Sequence, residues 1–356
     1  MSTPLNTQYS GLNTTSVMRR YIVFGAGAIG SILGATLYRS GRDVVLIGRG
    51  SHVQAIRKEG LQLMSEGVLR RIKVSAIEDL RSLKPRPNDI LLLTVKSQDT
   101  ETAGRQLGGI YGPGTSIVSL QNAVCNEEIL ARRFEQVYGG LVEFSGNYLS
   151  PGLVEHTRNN LVAIGRYPQG VDALAERITA DLTVAGFRVE CHPQVMNLKW
   201  WKLLLNVNNA LLALLGCWLQ KAHSDPNIYP LMADVMSESL RVLRKANIYP
   251  QAPENFPPIE EAIEELRNGG FACEYDLPAE RRTYPSTWQD LRLRRQATEV
   301  DFLNGEIVGL GKSHGVPTPM NSILLNLIHL AVEHKDPPGK YSPEEIRSWF
   351  QAERMS

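Results

Sequence analysis

Hydrophobic positions between residue 20 and about residue 165 form short continuous runs separated by helical stretches. Continuous apolar runs are typical of strands that helices cover on both faces of a sheet. Strands that alternate with helices in this way predict βαβ units and therefore a doubly wound parallel sheet. The predicted strands cover residues 21–24, 43–47, 74–76, 89–95, 116–120 and 137–140.

The pattern changes farther along the chain. Residues 153–157 and 160–165 predict a hairpin, and a helix over 171–185 and a strand over 187–192 then close the first unit. Beyond Met196 the hydrophobic residues recur with helical periodicity, interrupted by proline-rich segments. The predicted helices cover residues 197–219, 230–246, 259–268, 287–311 and 318–334.

Together these patterns predict an α/β fold in which an N-terminal Rossmann-type doubly wound sheet is followed by an all-α C-terminal domain. The 356 residues are enough for two domains, each with its own core. We expect a disordered polar tail over residues 1–18, a first domain over 19–194 and a second over 195–345. The segment 249–285 is long, and we expect part of it to fold over the cleft.

A glycine-rich loop joins the first predicted strand to the first predicted helix. Residues 25–30 read Gly-Ala-Gly-Ala-Ile-Gly, the spacing of a dinucleotide-binding turn. Gly25 permits the tight turn, Gly27 lets a pyrophosphate approach the backbone, and Gly30 allows close packing of helix on strand. Ala28 and Ile29 then present helix N-terminal N–H groups to the phosphates. A chance glycine turn is the alternative, but strand, motif and helix follow one another in the expected order.

The end of the second strand indicates which dinucleotide binds. Folds that bind NAD place an Asp or Glu there for the ribose 2′-hydroxyl, whereas this chain carries no acid at that point. Arg49 follows the strand, with the hydrogen-bonding residues Ser51 and His52 after it. Because a guanidinium suits a 2′-phosphate, this corner favours NADPH/NADP+ over NAD. A solvated loop arginine is the alternative reading of Arg49.

Composition excludes several classes of partner. The formal charge of +1 gives no electrostatic footprint for nucleic acid. The four cysteines and seven histidines are scattered without a metal-ligand spacing, so we expect reduced thiols in a cytoplasmic protein and no metal site. The leucine-rich segment 203–219 is only 17 residues long and contains three asparagines, which makes it a buried helix rather than a membrane span.

Polar residues follow two strands of the predicted sheet at the end where ligands bind. Lys96 comes directly after the run 89–95, and Asn122 comes after the run 116–120. Carboxyl ends of strands line the ligand crevice in open α/β sheets, so both side chains are candidates for the site. A solvated lysine and a turn-forming asparagine are the alternative interpretations.

The first predicted helix of the second domain carries a polar stripe. Each helical residue advances by about 100°, so Asn206 lies about 40° from Lys202 and Asn209 about 20° on the other side. Polar groups inside a leucine-rich helix need partners, because unpaired burial is costly. Core asparagines bonded to neighbouring helices are one account of the stripe. A lysine that acts as general acid in a cleft is the other.

Two further polar residues lie in the predicted helix 287–311 or at its start. Ser286 and Gln289 have the spacing of a capping box, and a capped helix N-terminus still presents donors to a substrate carboxylate. Glu299 is either a surface carboxylate or, within this apolar-rich helix, an inward-facing one.

Taken together, these residues resemble the ketopantoate reductase family over about residues 20–335. The matching positions are the glycine loop 25–30, Thr94 to Lys96, Gln121 and Asn122, Lys202 with Asn206, Ser286, the segment 298–305, and the segment 315–319. The resemblance implies a Rossmann domain followed by a helical domain, an active site in the cleft between them, NADPH as hydride donor and a 2-oxo acid as acceptor.

The resemblance also implies roles for individual residues. Lys202 is the expected general acid, and Glu299 is expected to orient the substrate, to keep Lys202 charged and to take part in cofactor binding. Ser286, Asn206 and Asn209 are expected to bind the substrate. Lys96 and Asn122 are expected at the nicotinamide–ribose side, with Asn122 also reaching the substrate.

Departures from the family pattern leave the substrate open. Ala210 stands where a second substrate-binding Asn is expected, which Asn209 would replace, and Thr283 stands where a polar amide is common. The favoured reaction is reduction of 2-dehydropantoate (ketopantoate) to pantoate in pantothenate biosynthesis. The alternatives are a related reductase or opine-type dehydrogenase acting on a different 2-oxo acid, and a non-catalytic NADPH sensor. A homodimer is compatible with the leucines near 323–330 but is not required by them.

Overall fold

The computed structural model describes residues 19–270, 277–278 and 282–355. The expected tail over 1–18 lies outside the described residues, and so do residues 271–276 and 279–281 of the segment 249–285, part of which we expected over the cleft. Ten strands form one sheet in the described chain. They are β1 (Arg20–Phe24), β2 (Asp43–Ile47), β3 (Leu61–Ser65), β4 (Val68–Ile72), β5 (Ser75–Ile77), β6 (Asp89–Leu93), β7 (Ser116–Ser119), β8 (Gln136–Ser150), β9 (Leu153–Arg166) and β10 (Arg188–Cys191).

The strand order confirms the predicted doubly wound fold. Six parallel strands run in the order β5-β2-β1-β6-β7-β8, which is the 3-2-1-4-5-6 order of dinucleotide-binding sheets. The order reverses between β1 and β6, whose register pairs Phe24 with Leu93. Ligands bind at this switch point, beyond the carboxyl ends of the strands. The glycine loop and Lys96 therefore follow the two strands that flank the crevice.

The hairpin expected within residues 153–165 is wrong. Those residues form one strand, β9, and the hairpin joins β8 to β9 through a turn at Pro151 and Gly152. Asn159, whose φ of 53° marks a turn-like backbone, sits inside β9 opposite register shifts near Ser145. A β-bulge thus absorbs the residues that resembled a turn. A second hairpin, β3 with β4, was missed and extends the sheet beyond β9.

Helices cover both faces of the parallel strands and then continue alone. The first five are α1 (Ala28–Arg39), α2 (Gly50–Glu59), α3 (Thr100–Gly108), α4 (Asn126–Ala131) and α5 (Ala173–Val184). The helical part contains α6 (Val195–Asn206), α7 (Asn208–Leu214), α8 (Leu219–Ser224), α9 (Tyr229–Lys245), α10 (Ile259–Arg267), α11 (Ser286–Arg292), α12 (Asn304–His314), α13 (Pro319–Glu333) and α14 (Pro343–Met355). The predicted α/β sheet followed by an all-α region is therefore confirmed, while the exact domain limits stay a prediction.

Two of the predicted helices are interrupted. The helix expected over 197–219 breaks at Val207, and the one expected over 287–311 ends at Arg292 and resumes at Asn304. The two breaks meet in space, because the Nδ2 atom of Asn304 donates to the Val207 carbonyl at 2.9 Å. A buried asparagine thus satisfies a carbonyl that the break frees. The same Nδ2 atom also donates to Asn321 at 3.0 Å.

The helical core is large and apolar. Its central helix, α7, is buried along its whole length, and α9, α11 and α13 pack against it. The leucine-rich stretch near 323–330 belongs mainly to this core: Leu324 and Ile328 are fully buried, while Leu330 is exposed. No helix in the described part of the chain is long and apolar enough to cross a membrane.

Candidate active site

The glycine loop has the geometry that its sequence predicts. Gly25 adopts a φ of 117°, and a Cβ atom there would lie 2.7 Å from the Val95 nitrogen. A Cβ atom on Gly30 would collide with the Gly25 carbonyl and lie 2.5 Å from Thr94 Oγ1. Thr94 Oγ1 in turn donates to the Gly25 carbonyl at 2.8 Å. Helix α1 can therefore approach the β1–β6 switch point only with glycine at both positions.

Gly27 differs from its neighbours because it faces open space. No atom of the described structure lies within 4 Å of the Cβ position at Gly27. Gly27 is also the N-cap of α1. No side chain of the described residues caps the N-terminus of α1, and the backbone at Gly27 is open to a ligand. The first N–H groups of the helix, including those of Ala28 and Ile29, can therefore donate to that ligand. This cradle fits a dinucleotide pyrophosphate.

The region expected to bind the 2′-phosphate of the cofactor contains the predicted Arg49 and, in addition, an acid that was not predicted. Arg49 is exposed at the N-cap of α2, with no hydrogen bond or ion pair to another described residue. The carboxylate of Glu78 lies at the same corner and accepts from the Gly50 N–H at 3.3 Å. An arginine and an acid therefore flank the start of α2. The sequence analysis noticed only the arginine, because Glu78 follows a third strand.

The expected hydrogen-bonding role of Ser51 and His52 beside Arg49 is corrected for His52. His52 is buried in α2 with 4% of its surface exposed, and its Nδ1 atom accepts from the Gly152 N–H at 2.9 Å. Its Nε2 atom lies 3.1 Å from Ser31 Oγ. The imidazole thus joins α1, α2 and the β8–β9 turn. His52 therefore has a structural role, whereas Ser51 is exposed at the start of α2.

The buried imidazole predicts a pH dependence of stability. Burial lowers the pKa of His52, so the folded protein keeps it neutral where the unfolded chain, with a pKa of about 6.5, already binds a proton. The free energy of unfolding should therefore fall as the pH drops below about 6.5, by at most about 1.4 kcal/mol per pH unit from this group. Urea unfolding between pH 5 and 8 should show a shallower acid decline for His52→Gln. The exposed His314→Gln serves as control, and equal slopes for His52→Gln and the wild type would contradict this account.

Lys96 lies between the sheet and the helices. Its Nζ atom contacts both carboxylate oxygens of Asp290 in α11, at 2.6 and 2.5 Å. Asp290 is buried and also accepts from Arg295 at 2.7 Å. The lysine expected at the nicotinamide–ribose side is therefore engaged in an ion pair that joins the turn after β6 to helix α11. Asp290 was missed because its partner lies 194 positions away.

Glu299 is buried, but it does not lie in a long helix. It precedes a short 3₁₀ turn over Val300–Phe302, with 5% of its surface exposed. Its Oε1 atom accepts from the backbone N–H of Ser97 at 3.2 Å and from the Ser97 hydroxyl at 3.1 Å. The inward-facing alternative therefore describes its position, at the turn that follows β6. The surface alternative and the long-helix placement are wrong.

Ser286 is the first residue of α11 and not its cap. Pro285 is the N-cap, and the amide of Gln289 donates to the Tyr284 carbonyl at 3.1 Å, so the expected capping box is wrong. Ser286 is half-buried, one helical turn before Asp290, on the element that meets Lys96. Its hydroxyl is thus uncommitted to the helix.

A small cleft brings together the remaining candidates. Its lining includes Asn122, Lys202 and Asn206, as expected from the sequence, together with Lys199, Leu203 and the segments 121–123 and 140–142. Ala123 has a φ of 64°, rare for a residue with a side chain, and its turn follows Asn122. The Asn122 carbonyl accepts from Asn126 at 2.6 Å. The Asn122 backbone is therefore fixed at the point where this residue lines the cleft.

Lys202 is anchored from the sheet side of this cleft. Its ammonium group donates to the Val142 carbonyl and lies 3.5 Å from Glu143 Oε2. Its neighbour one turn earlier, Lys199, is buried and ion-paired with Glu127 of α4. Sequence reasoning found Lys202 and missed both glutamates. Only the fold of β8 against α6 brings Glu143 near it.

The departures from the family pattern have structural explanations. Asn209 Nδ2 donates to Asn206 Oδ1 at 3.4 Å, so the two amides extend the polar surface of Lys202 across the break at Val207. Ala210 is buried in the helical core. Thr283 faces α8 instead, where its hydroxyl accepts from Gln220 at 3.1 Å. Asn209 is therefore close to the cleft residues, and Thr283 has a structural partner.

Two of the cysteine thiols lie in surroundings that raise their pKa values. Burial raises the pKa of Cys125 to about 12 and that of Cys217 to about 11, so both thiols stay protonated near neutral pH. No group of His, Cys, Asp and Glu side chains in the described ranges has the arrangement of a metal site.

Comparison with known proteins places these features in context. The family model of ketopantoate reductase PanE/ApbA matches residues 21–169, and that of its C-terminal domain matches residues 194–332. A 2-dehydropantoate 2-reductase of Pyrococcus horikoshii is 31% identical over 313 residues, which cover 87% of this chain and 96% of that protein.

Solved structures agree with this relationship. A PanE/ApbA family ketopantoate reductase from Ralstonia eutropha JMP134 is 30% identical with a TM-score of 0.76, covering 89% of this chain and 99% of that one. The ternary structure of D-mandelate dehydrogenase with NADH and anilino(oxo)acetate shares the fold, with a TM-score of 0.77 and 24% identity over 89% of this chain and 99% of that one.

The fold, the dinucleotide cradle and the family matches define an oxidoreductase with a dinucleotide-binding sheet. The chain belongs to the ketopantoate reductase PanE/ApbA family. The resemblance seen in the sequence is thereby confirmed.

Proposed function

We propose that the chain catalyses the NADPH-dependent reduction of a 2-oxo acid, with 2-dehydropantoate as the favoured substrate and pantoate as the product. The observation that carries this proposal is the cleft in which Asn122, Lys202 and Asn206 come together. The cleft adjoins the turn after β7, on the carboxyl side of the sheet where the cofactor cradle lies. A proton donor and two amides on that side of the sheet suit a keto acid.

The proposed chemistry divides one reduction between cofactor and protein. Bound NADPH supplies the hydride that reduces the C2 carbonyl carbon of the acid. Lys202 Nζ–H gives a proton to the former carbonyl oxygen, which becomes the hydroxyl of the product, and the lysine is left neutral until solvent returns a proton. Because the negative charge on that oxygen grows only as the hydride arrives, the ammonium stabilises the transition state more than the substrate.

The amide and hydroxyl groups are proposed to hold the acid in place. Asn122 and Asn206 line the cleft, and Asn209 supports Asn206 through its amide. Ser286 adds a hydroxyl from α11 once the cleft is occupied. We propose that Glu299 acts through the turn after β6, where it holds Ser97, and that Lys96 contributes from the same turn.

Arg49 is proposed to read the 2′-phosphate, and its exchange for Asp tests this. Loss of charge-assisted hydrogen bonds, each worth about 1.5–3 kcal/mol, should weaken NADPH binding about tenfold to hundredfold while NADH binding changes little. Titration of both cofactors by NADPH and NADH fluorescence measures the two dissociation constants. Arg57→Asp, on the exposed side of the same helix, controls for the change in charge. Equal losses for both cofactors would contradict the proposed contact of Arg49 with the 2′-phosphate.

The proposed reaction is tested by steady-state NADPH oxidation. The purified protein is offered 2-dehydropantoate, an aryl 2-oxo acid and short aliphatic 2-oxo acids, each with and without an amine. We expect 2-dehydropantoate to give the highest kcat/KM, within the usual enzyme range of about 10⁴–10⁸ M⁻¹s⁻¹.

Other outcomes of this panel separate the alternatives. Preference for another acid would keep the chemistry and change the substrate. Turnover that requires an amine would identify an opine-type dehydrogenase. Tight NADPH binding without turnover on any acid would identify a sensor. A homodimer is a further proposal, tested by light scattering on the same preparation.

A further inference from the structure

A carboxylate that the family resemblance did not suggest lies beside the proposed general acid. Glu143 belongs to β8, and its Oε2 atom is 3.5 Å from Lys202 Nζ. The two side chains are about equally enclosed, with 19% of Lys202 and 21% of Glu143 exposed. The Oε2 atom itself is buried and has no hydrogen-bond partner among the described residues. Lys202 is therefore the charge that compensates it.

The other charged groups near Lys202 are already paired with each other. Lys199 lines the same cleft, but its ammonium is bound to Glu127, and both are buried. The polar side chains that complete the lining, Gln121, Asn122 and Asn206, are neutral. Within the part of the chain that the structure describes, Glu143 is thus the carboxylate within ion-pair distance of Lys202.

Glu299 is occupied elsewhere. The resemblance implied that it keeps Lys202 charged, yet both hydrogen bonds of its carboxylate go to Ser97. The segment that carries it packs on the turn after β6, whereas Lys202 packs on β8. The two carboxylates therefore have different partners: Glu143 lies beside Lys202, and Glu299 binds Ser97.

We propose that Glu143 is a positioning residue that aims the ammonium group of Lys202 into the cleft. An ammonium has three N–H donors. One is given to the Val142 carbonyl and a second faces Glu143, so the third is left for the carbonyl oxygen of the acid. This inference rests on the proposed role of Lys202.

The test compares Glu143→Gln with Glu155→Gln. Glutamine keeps the size of the side chain and removes the charge. Glu155 lies on the paired strand β9, bonded to Asn147 at 3.1 Å, and so controls for loss of a carboxylate from the same strand pair. For Glu143→Gln we expect kcat to fall about tenfold while KM for the 2-oxo acid changes little, because a misdirected ammonium slows proton transfer more than it weakens binding. NADPH affinity, and both kinetic constants of Glu155→Gln, should match the wild type. An unchanged kcat in Glu143→Gln would overturn the proposal.

A second measurement does not depend on turnover. The rate at which acetic anhydride labels Lys202 at one fixed pH, followed by mass spectrometry, reports how firmly the amine is held by its partners. Glu143→Gln should be labelled faster, because the amine loses its contact with the carboxylate, and Glu155→Gln should be labelled at the rate of the wild type. Equal rates for Glu143→Gln and the wild type would refute the role of Glu143 even in a protein that reduces no acid. Conversely, faster labelling with no turnover would refute the proposed reaction alone.

Discussion

Replacement of Lys202 by Ala is expected to lower kcat for 2-oxo acid reduction by about 10²- to 10⁴-fold and to leave NADPH affinity close to that of the wild type. The expected loss is large because the proposed general acid would both donate the proton and stabilise the charge that develops on oxygen. Cofactor affinity is spared because Lys202 lies in the cleft lined by 140–142 and Asn206, away from the glycine loop. Single-turnover kinetics and NADPH titration measure the two quantities separately.

Controls for this variant distinguish chemistry from damage to the fold. Lys312→Ala removes an exposed lysine from α12 and should have no effect. A small amine such as methylammonium, added to Lys202→Ala, should restore part of the lost rate, since the truncated side chain leaves room for it. Turnover near that of the wild type in Lys202→Ala would remove the lysine from the mechanism.

Alanine substitutions at two positions of the glycine loop are expected to separate an effect on folding stability from an effect on cofactor binding. Gly30→Ala forces a methyl group against the Gly25 carbonyl and the Thr94 hydroxyl. Neither group can move away easily, because the carbonyl belongs to the backbone and the hydroxyl donates a hydrogen bond to it. We expect a loss of about 1–3 kcal/mol in the free energy of unfolding, the usual cost of overpacking, together with loss of NADPH binding. Urea unfolding and NADPH titration measure the two effects.

Gly27→Ala is the matched control for that variant. Its Cβ atom meets open space, so the free energy of unfolding should stay within about 0.5 kcal/mol of the wild type. The same methyl group stands where the pyrophosphate would approach, so NADPH binding should still fall at least tenfold. Unchanged NADPH binding in Gly27→Ala would contradict the placement of the cofactor at this loop.

Local sequence was enough to predict the parts of the molecule that local physics determines. The glycine loop follows from residue spacing alone, because a strand, a tight turn and a helix are contiguous in the chain. Asn122 and Lys96 were found because the ends of parallel strands share one edge of the sheet. Asn206 was found because helical spacing puts it on the face of Lys202.

Long-range pairing could not be predicted in the same way. The helix break at Val207 depends on Asn304, which lies 97 positions away. The pairing of Lys96 with Asp290 spans 194 positions. Glu143 was invisible for the same reason, since its strand was predicted only as residues 137–140 and the real β8 runs to Ser150. The site therefore contains carboxylates that only the folded chain reveals.

The most direct test of the proposed reaction follows a deuterium atom. The protein is incubated with 2-dehydropantoate and NADPH that carries deuterium at the transferable C4 position, and the product is analysed by mass spectrometry and NMR. Direct hydride transfer predicts pantoate with one deuterium at C2 and none elsewhere. NADPH consumption that yields unlabelled pantoate, or no hydroxy acid at all, would contradict the account.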